Sequence, residues 1–293
     1  MIVITTPTGD VGRQVLDRVL DSKEAVRVIV RDPSRLPGHV HANAEVVQGS
    51  HADPDTITKA LDGADRMFWL VPPAGFHDAG SARRHYLEFT RAAAQAAASR
   101  GVRVVGVTSL GRGYEGEAGL LSGALAMDEL IEGTGAPYRA LALPFFMENL
   151  LRQVRPMGEQ GTFSLANTAD RPLPTIATRD AAAAAAALLL DTSWSGQARV
   201  PLTGPDDLTP DAMAEVISDT VGRTVRYQQV PLADFQARMV QHGASPALAQ
   251  DMADMVKAQN DGIYDAEPRD AGSATATSFR QWCQDTLKPA FTS

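Results

Sequence analysis

Two glycines, Gly9 and Gly12, lie in the opening stretch IVITTPTGDVGRQVLDRVL, between an apolar run and a helical pattern. A strand, a glycine turn and a helix in this order place unpaired backbone N–H groups at the helix start, where the positive end of the helix dipole also lies. A pyrophosphate group is the natural ligand of such a turn. Because Thr6 replaces the usual glycine three residues before Gly9, a plain tight turn is the alternative interpretation.

Arg31 directly follows a second apolar run, VRVIV at 26–30. In a dinucleotide-binding fold this position faces the ribose of the adenosine half, where an acidic residue suits a 2′-hydroxyl and an arginine suits a 2′-phosphate. Arg35 lies close enough in sequence to assist. The pattern therefore favours NADP(H) over NAD(H), with a solvated surface arginine as the alternative.

Three further residues carry groups suited to acid–base work. His77 lies in the loop PPAGFHDAG, Tyr114 lies in the loop GRGYEGEAG, and Ser109 ends the strand before that second loop. The alternatives are solvated loop residues for His77 and Tyr114 and a backbone-satisfying hydroxyl for Ser109. No His, Asp and Glu grouping has metal-ligand spacing, and no Gly-x-Ser-x-Gly elbow occurs. The single cysteine, Cys283, lies in an amphipathic pattern and is predicted to be a packed thiol.

Short apolar runs alternate with helical patterns through the first half of the chain. Strands are predicted at 2–5, 26–30, 44–49, 66–73 and 102–109. Runs rich in Val and Ile that are apolar on both faces indicate parallel strands covered by helices. We therefore predict an α/β fold: a Rossmann-type doubly wound parallel sheet in residues 1–150 and a smaller C-terminal α+β lobe in 151–293, with strands and helices exchanged between the two. The run FFMENLLRQV is predicted to start a helix.

Composition excludes several classes of function. The 293 residues carry a net charge of −8, and an acidic chain repels phosphate backbones, so direct nucleic-acid binding is not expected. The longest apolar run, AAAAAAALLL at 181–190, is too short to span a bilayer. A strand that begins at Ile2 leaves no room for a signal peptide, so we expect a cytoplasmic protein.

Several longer stretches resemble the NmrA-like family, whose members are atypical short-chain dehydrogenases/reductases. They are TPTGDVG, VRVIVRDPSRL, VVQGSHADPDTITKALDGADRMFWLVPP, YRALALPFFMENLL and IATRDAAAAAAALLLD, and ARVPLTGPDDLTPDAMAEVISDTVGRTVRYQQVP is similar to the family's second lobe. The resemblance covers nearly the whole chain. It implies a Rossmann domain, a preference for NADP(H), and a smaller C-terminal α+β substrate lobe. The roles of family members range from quinone and polyketide reduction to non-catalytic redox sensing in transcription.

The resemblance also implies roles for individual positions. The residues that would line the pyrophosphate are Thr8, Gly9, Asp10, Val11 and Gly12, and Arg31 would bind the 2′-phosphate. Val71 and Pro72 would lie near the adenosine and its ribose. Thr108 and Ser109 would lie near the nicotinamide. The nicotinamide side and the start of the substrate pocket would be walled by Pro144, Phe145 and Phe146, with His77 and Tyr114 as further substrate contacts. Ser50 takes the place of an aspartate that the family usually has near the adenine.

The usual proton donor of short-chain reductases is missing. That donor is a tyrosine with a lysine four residues later, and none of the five tyrosines has a lysine at this spacing. Atypical relatives often keep a lysine on the helix before GTGAPY, where this chain has Ala124. Without this pair, a site is better matched to quinone-like or enone substrates than to simple ketones.

Three interpretations stay open at this point. The first is an NADPH-dependent reductase of a flat, apolar carbonyl compound, a quinone or an aromatic polyketide. The second is a non-catalytic NADP(H)-binding redox sensor with a regulatory protein partner, and the third is a non-redox enzyme that couples or dehydrates an aromatic substrate. Either enzyme would act on a small aromatic substrate, away from membranes. The partners that we consider are a second copy of the chain, in a homodimer, or a regulatory protein.

Overall fold

The computed structural model describes residues 1–72, 81–270 and 272–291. The strands are β1 (Ile2–Ile4), β2 (Val26–Val30), β3 (Ala44–Gln48), β4 (Arg66–Trp69), β5 (Arg103–Ser109), β6 (Tyr138–Leu143), β7 (Phe145–Phe146), β8 (Thr162–Leu165), β9 (Thr175–Ile176), β10 (Gln197–Pro201) and β11 (Arg226–Gln229). The main helices are α1 (Asp10–Asp21), α2 (Gly38–Asn43), α3 (Pro54–Ala60), α4 (Ala82–Arg100), α5 (Leu120–Gly133), α6 (Val154–Gln160), α7 (Thr178–Leu190), α8 (Pro210–Val221), α9 (Leu232–Gln241) and α10 (Pro246–Asn260). A C-terminal helical run extends from Phe279 to Ala290.

A seven-stranded sheet in the order β10-β6-β5-β4-β1-β2-β3 forms the centre of the molecule. Each pair of neighbouring strands in it is parallel. The strand order reverses between β1 and β4, which is where a doubly wound sheet opens a crevice at the carboxyl ends of its strands. The predicted Rossmann-type α/β fold is confirmed.

Helices cover both faces of this sheet, as the alternation of buried side chains along each strand requires. In β1, Ile2 and Ile4 pack with α1 and α7 on one face, while Val3 packs with α3, α4 and α5 on the other. All three side chains are fully buried. The strand is therefore apolar at every position because both of its faces are covered.

A second apolar cluster, separate from those on the two faces of the sheet, includes Phe163, Phe279, Trp282 and Cys283. We call the elements around it the smaller lobe; its boundary at residue 151 stays a prediction. Two short parallel strand pairs lie outside the main sheet, β11 with β8 and β7 with β9. Cys283 is buried, as predicted, and burial raises the pKa of its thiol to about 12, so the thiol stays protonated.

Two regions differ from the sequence prediction. Phe145–Phe146 is a strand paired with β9, so the predicted helix at FFMENLLRQV is wrong for these two residues. The helix begins at Met147, as a 3₁₀ helix to Gln153 and as α6 from Val154. The pairing partner Thr175–Ile176 lies thirty residues away, and such a distant contact overrides the local helical pattern. The second difference is β10, a strand that no apolar run in the sequence predicted. This strand comes from the second half of the chain and pairs with β6 at the edge of the central sheet.

Candidate functional site

The turn between β1 and α1 leaves the start of α1 open. Gly9 is the residue before the helix, and no side chain caps the helix start. The Gly9 N–H donates to the carbonyl oxygen of Thr6 at 3.0 Å, which closes the turn. The first-turn N–H groups of α1 have no partners within the helix and are available to an anion, which the helix dipole also attracts.

The two glycines of this turn have different tasks. A Cβ at Gly12 would lie 2.1 Å from the Thr6 carbonyl oxygen, so only glycine allows α1 to pack this closely against the turn. A Cβ at Gly9 would lie 3.5 Å from the same oxygen, an ordinary contact, so Gly9 borders open space. Gly12 therefore serves packing, whereas Gly9 leaves room for a ligand to approach the backbone.

Thr6 occupies the position of the missing first glycine and takes its conformation. Its φ is +49°, in the left-handed region that is unfavourable for a β-branched residue. Its Oγ1 is buried and makes no hydrogen bond within the described part of the chain. A strained residue with an orphaned hydroxyl directly under a helix start is typical of a ligand-binding turn.

A polar cavity of about 410 Å³ borders the first turn of α1. Asp10, Arg13 and Gln14 line it from α1, and Glu148, Arg152 and Thr178 line it from the other side. Gln14 Nε2 donates to Thr178 Oγ1 at 2.9 Å, which ties α1 to the start of α7. The cavity therefore lies along the side of α1 that faces α7, next to the helix start.

Arg31 extends from the end of β2 and is exposed. Within the described ranges, its guanidinium makes no hydrogen bond or ion pair. The adjacent carboxylate of Asp32 is directed elsewhere, because it accepts hydrogen bonds from the N–H and the hydroxyl of Ser34 at 3.1 and 2.7 Å. These two bonds hold the pKa of Asp32 below its ordinary value. Among the described residues, Arg31 is thus an exposed cation without a bonding partner, at the end of the strand next to β1.

Two histidines fix the carboxyl end of β4. His51 Nε2 lies 3.1 Å from the Leu70 carbonyl oxygen, and His85 Nε2 lies 3.0 Å from the Pro72 carbonyl oxygen. Burial lowers the pKa of His51 to about 4, so the ring is neutral and donates to the carbonyl. These contacts position Val71 and Pro72, the two residues predicted to face the adenosine half. No sequence pattern singled out His51.

The hydroxyls at the end of β5 are used inside the protein. Thr108 Oγ1 donates to the Ala124 carbonyl oxygen at 3.2 Å, and Ser109 Oγ donates to the Leu110 carbonyl oxygen at 2.7 Å. Both residues are buried. The geometry favours the backbone-satisfying role for Ser109, and its acid–base role stays an untested prediction.

The loop after β5 carries Tyr114, which is half-buried and packs beside the core of the smaller lobe. A Cβ at Gly116 would lie 2.7 Å from the Tyr114 ring, so this glycine makes space for the ring. The other predicted acid–base candidate, His77, lies outside the described residues.

The chain after β6 carries the three residues predicted to wall the nicotinamide side and the substrate pocket. Pro144 is buried, and Phe145 and Phe146 are half-buried. Phe145 packs against the core of the smaller lobe, whereas Phe146 packs against the core around α1 and α7. Met147 is fully buried and belongs to the core.

The predicted site residues therefore follow the carboxyl ends of neighbouring strands. The Gly9–Gly12 turn follows β1, Arg31 follows β2, Val71 follows β4, and Pro144 follows β6. Among the described residues, no group of three His, Cys, Asp or Glu side chains is arranged to hold a metal ion. None of the described helices is both long and apolar enough to cross a membrane. The geometry is that of a crevice for an elongated anionic ligand at the strand-order reversal.

The NmrA-like family matches residues 1–282. The chain belongs to this family. Quinone oxidoreductase 2 of Escherichia coli is 26% identical over 268 residues, which cover 90% of this chain and 90% of the relative. The NAD(P)H azoreductase of Xenophilus azovorans is 26% identical over 283 residues, which cover 94% of this chain and 95% of the relative.

The fold also matches solved structures over its whole length. A crystal structure of the NADPH-dependent quinone oxidoreductase of Escherichia coli, complexed with NADPH, superimposes with a TM-score of 0.81 at 22% identity. The match covers 98% of this chain and all of the other. At this identity the likeness establishes the fold that the two proteins share.

Proposed function

We propose that this protein is an NADPH-dependent reductase of a flat, apolar carbonyl compound, a quinone or an aromatic polyketide. The observation that carries the proposal is the exposed guanidinium of Arg31, which has no partner among the described residues and follows the strand next to β1 and its uncapped helix start. A dinucleotide with a 2′-phosphate presents one anion to each of these features. The quinone and azo compounds in the names of two relatives support a flat, unsaturated substrate.

The residues present fit the cofactor. The orphaned Thr6 hydroxyl and the open backbone at Gly9 suit a pyrophosphate, and Gly12 keeps α1 close enough to direct its N–H groups at it. Arg31 would bind the 2′-phosphate. Together with these, the proposed cofactor-lining set comprises Thr8, Asp10, Val11, Val71, Pro72, Thr108 and Pro144.

The missing tyrosine–lysine pair restricts the reaction. Bound NADPH supplies a hydride, which is two electrons and a proton. A simple ketone then becomes an alkoxide, a base at least as strong as hydroxide, and requires an acid beside it. A quinone becomes a hydroquinone anion, a phenolate with a conjugate-acid pKa of about 10, which water protonates readily.

The protein's part in this reaction is therefore to bind and orient. Phe145 and Phe146 offer half-buried rings as walls for a flat substrate. Tyr114, on the loop after β5, stays a predicted substrate contact and a candidate proton donor, although the reaction does not depend on it because water can protonate the hydroquinone anion. His77 stays a predicted substrate contact. Action in the cytoplasm, and a homodimer or a regulatory protein partner, stay predictions as well.

The first test measures cofactor choice. NADPH and NADH are titrated against the wild type and Arg31→Gln, with Arg223→Gln, an exposed arginine of the smaller lobe, as the matched control. Loss of one charge-assisted contact at an exposed site should weaken NADPH binding about tenfold, while NADH binding and the control stay unchanged. Equal affinity for NADH and NADPH in the wild type would overturn the 2′-phosphate assignment.

The second test measures turnover. NADPH oxidation is followed with a panel of quinones and with cyclohexanone as a ketone control. Turnover of quinones without turnover of cyclohexanone supports the proposal. Tight NADPH binding without oxidation by any quinone refutes it in favour of the redox sensor, and product formation that is indifferent to NADPH refutes it in favour of non-redox chemistry.

A further inference from the structure

Arg199, on the edge strand β10, has a nearly buried guanidinium that is bonded at all three nitrogens. Nε and Nη2 donate to the two carboxylate oxygens of Glu267 at 2.7 and 2.8 Å. Nη1 donates to Asp128 Oδ2, and Nη2 also donates to the carbonyl oxygen of Ser109 at 2.9 Å. The side chain is 10% exposed. This arginine therefore links β10 directly to the carboxyl end of β5.

Glu267 extends the link into the loop after β5. Besides Arg199, its Oε2 accepts the backbone N–H groups of Gly111 and Arg112 at 3.1 and 3.3 Å. Burial alone would raise the pKa of Glu267, but the Arg199 guanidinium and the two N–H groups outweigh it and hold the pKa below its ordinary value. The carboxylate is thus ionised and fixes the first residues of the loop that carries Tyr114.

Asp128 holds the other side of the guanidinium. It is fully buried on α5 and accepts the hydroxyl of Tyr138 at 2.6 Å. The Tyr138 ring lies against β5, since a Cβ at Gly106 would be 2.6 Å from its hydroxyl oxygen. Burial raises the pKa of both Asp128 and Tyr138, so this tyrosine acts as a structural donor and not as a proton source for the crevice.

We propose that Arg199 is a positioning residue for the substrate side of the crevice. Arg199 bonds directly to the Ser109 carbonyl oxygen, and it holds the Gly111 and Arg112 amides through Glu267. In this way it sets the height of the loop after β5 over the nicotinamide and the flat substrate. This role rests on the proposed reductase function. Glu267 belongs to the smaller lobe and bonds to this loop, so the position of that lobe and the shape of the pocket are set together.

The chain offers a matched control for the loss of a buried strand arginine. Arg66, at the amino end of β4, is 5% exposed and bonds to Glu24, Asp65 and the Leu189 carbonyl oxygen. It lies at the opposite end of the sheet from the crevice, because all strands of the sheet are parallel. Arg66→Met should therefore lower the melting temperature as Arg199→Met does, without affecting the pocket.

The test compares Arg199→Met, Arg199→Lys, Glu267→Gln and Arg66→Met. Arg199→Met should raise the quinone KM about fivefold and change the NADPH Kd less than about twofold, because the adenosine half binds at the β1–β2 end. Arg199→Lys should raise the quinone KM less than Arg199→Met does. Glu267→Gln should give a KM between those of the two Arg199 variants, and as the milder change it serves as the test variant if Arg199→Met does not fold. Unchanged KM in Arg199→Met, or an equal change in Arg66→Met, would overturn the inference.

A second measurement does not depend on turnover. Hydrogen exchange of the Gly111 and Arg112 amides should be faster in Arg199→Met than in the wild type and unchanged in Arg66→Met. Absence of quinone reduction by the wild type would refute the proposed function alone, since the exchange experiment still tests the placement of the loop. Equal exchange in Arg199→Met and the wild type would refute the positioning role alone.

Discussion

Replacing Gly12 with alanine forces the first turn of α1 away from the turn beneath it. The new Cβ would lie 2.1 Å from the carbonyl oxygen and 2.8 Å from the carbonyl carbon of Thr6. Ordinary contact begins near 3.4 Å, so the helix start and the turn must separate by about 1.3 Å. Such overpacking costs about 1–3 kcal/mol, and alanine returns up to about 1 kcal/mol through its helix propensity. We expect a net loss of about 1–2 kcal/mol.

Gly9→Ala is the matched variant with the opposite expected outcome. Its Cβ would lie 3.5 Å from the Thr6 carbonyl oxygen, and the Gly9 φ of −89° suits alanine, so folding should be unaffected. The added methyl group does project into the space assigned to the pyrophosphate. Gly9→Ala should therefore bind NADPH at least about tenfold more weakly at wild-type stability.

Thermal melting and an NADPH titration by fluorescence separate the two effects. Gly12→Ala should lower the melting temperature by about 2–8 °C, whereas Gly9→Ala should stay within about 2 °C of the wild type. A Gly12→Ala protein that melts like the wild type would refute the close approach of α1. A Gly9→Ala protein with unchanged NADPH affinity would refute the pyrophosphate assignment.

Three further predictions concern buried groups. In the folded protein the pKa of His51 is about 4, below its ordinary value of 6.5. Between these two values the unfolded chain binds a proton at His51 that the folded chain does not, so acid favours unfolding. The free energy of unfolding should therefore drop by about 1.4 kcal/mol between pH 8 and pH 5.5. Denaturant titrations at the two pH values should show that this loss of stability disappears in His51→Gln. It should persist in the control His41→Gln, because His41 is an exposed histidine that also contacts a carbonyl oxygen. Equal pH dependence of stability in the two variants would contradict the assignment to His51. Thr6→Gly should relieve the strain of the left-handed conformation and increase the free energy of unfolding by about 1 kcal/mol, which a higher melting temperature would show. A lower melting temperature would contradict this, because it would show that the threonine side chain stabilises the turn. Cys283 should resist a thiol reagent in the folded protein and react once the protein is unfolded in denaturant, and fast labelling of the folded protein would contradict its burial.

The sequence predicted the parts of the fold that depend on local pattern. Apolar runs such as VRVIV marked the buried strands, and the glycine spacing marked a close approach that the structure locates at Gly12. The left-handed conformation of Thr6 was beyond such reasoning, because threonine rarely adopts it and the surrounding turn enforces it.

Contacts between distant residues account for what the sequence did not predict. Phe145 and Phe146 belong to a helical pattern but pair with a strand thirty residues later. Asp128, Arg199 and Glu267 come from α5, β10 and a small-lobe loop, and no local spacing relates them. His51 follows a strand in an ordinary turn sequence, and only the packing around it explains its low pKa. Charged and polar networks of this kind are set by tertiary structure, not by periodicity.

The late return of the chain to the central sheet affects how the protein is made. Until residues 197–201 have emerged from the ribosome, β6 has no neighbour on its outer side, and its backbone groups form an open edge that other chains can pair with. A nascent chain of about two-thirds of the final length therefore exposes this edge for the time needed to synthesise the intervening segment. Truncated products that stop before β10 should accordingly be prone to aggregation and dependent on chaperones.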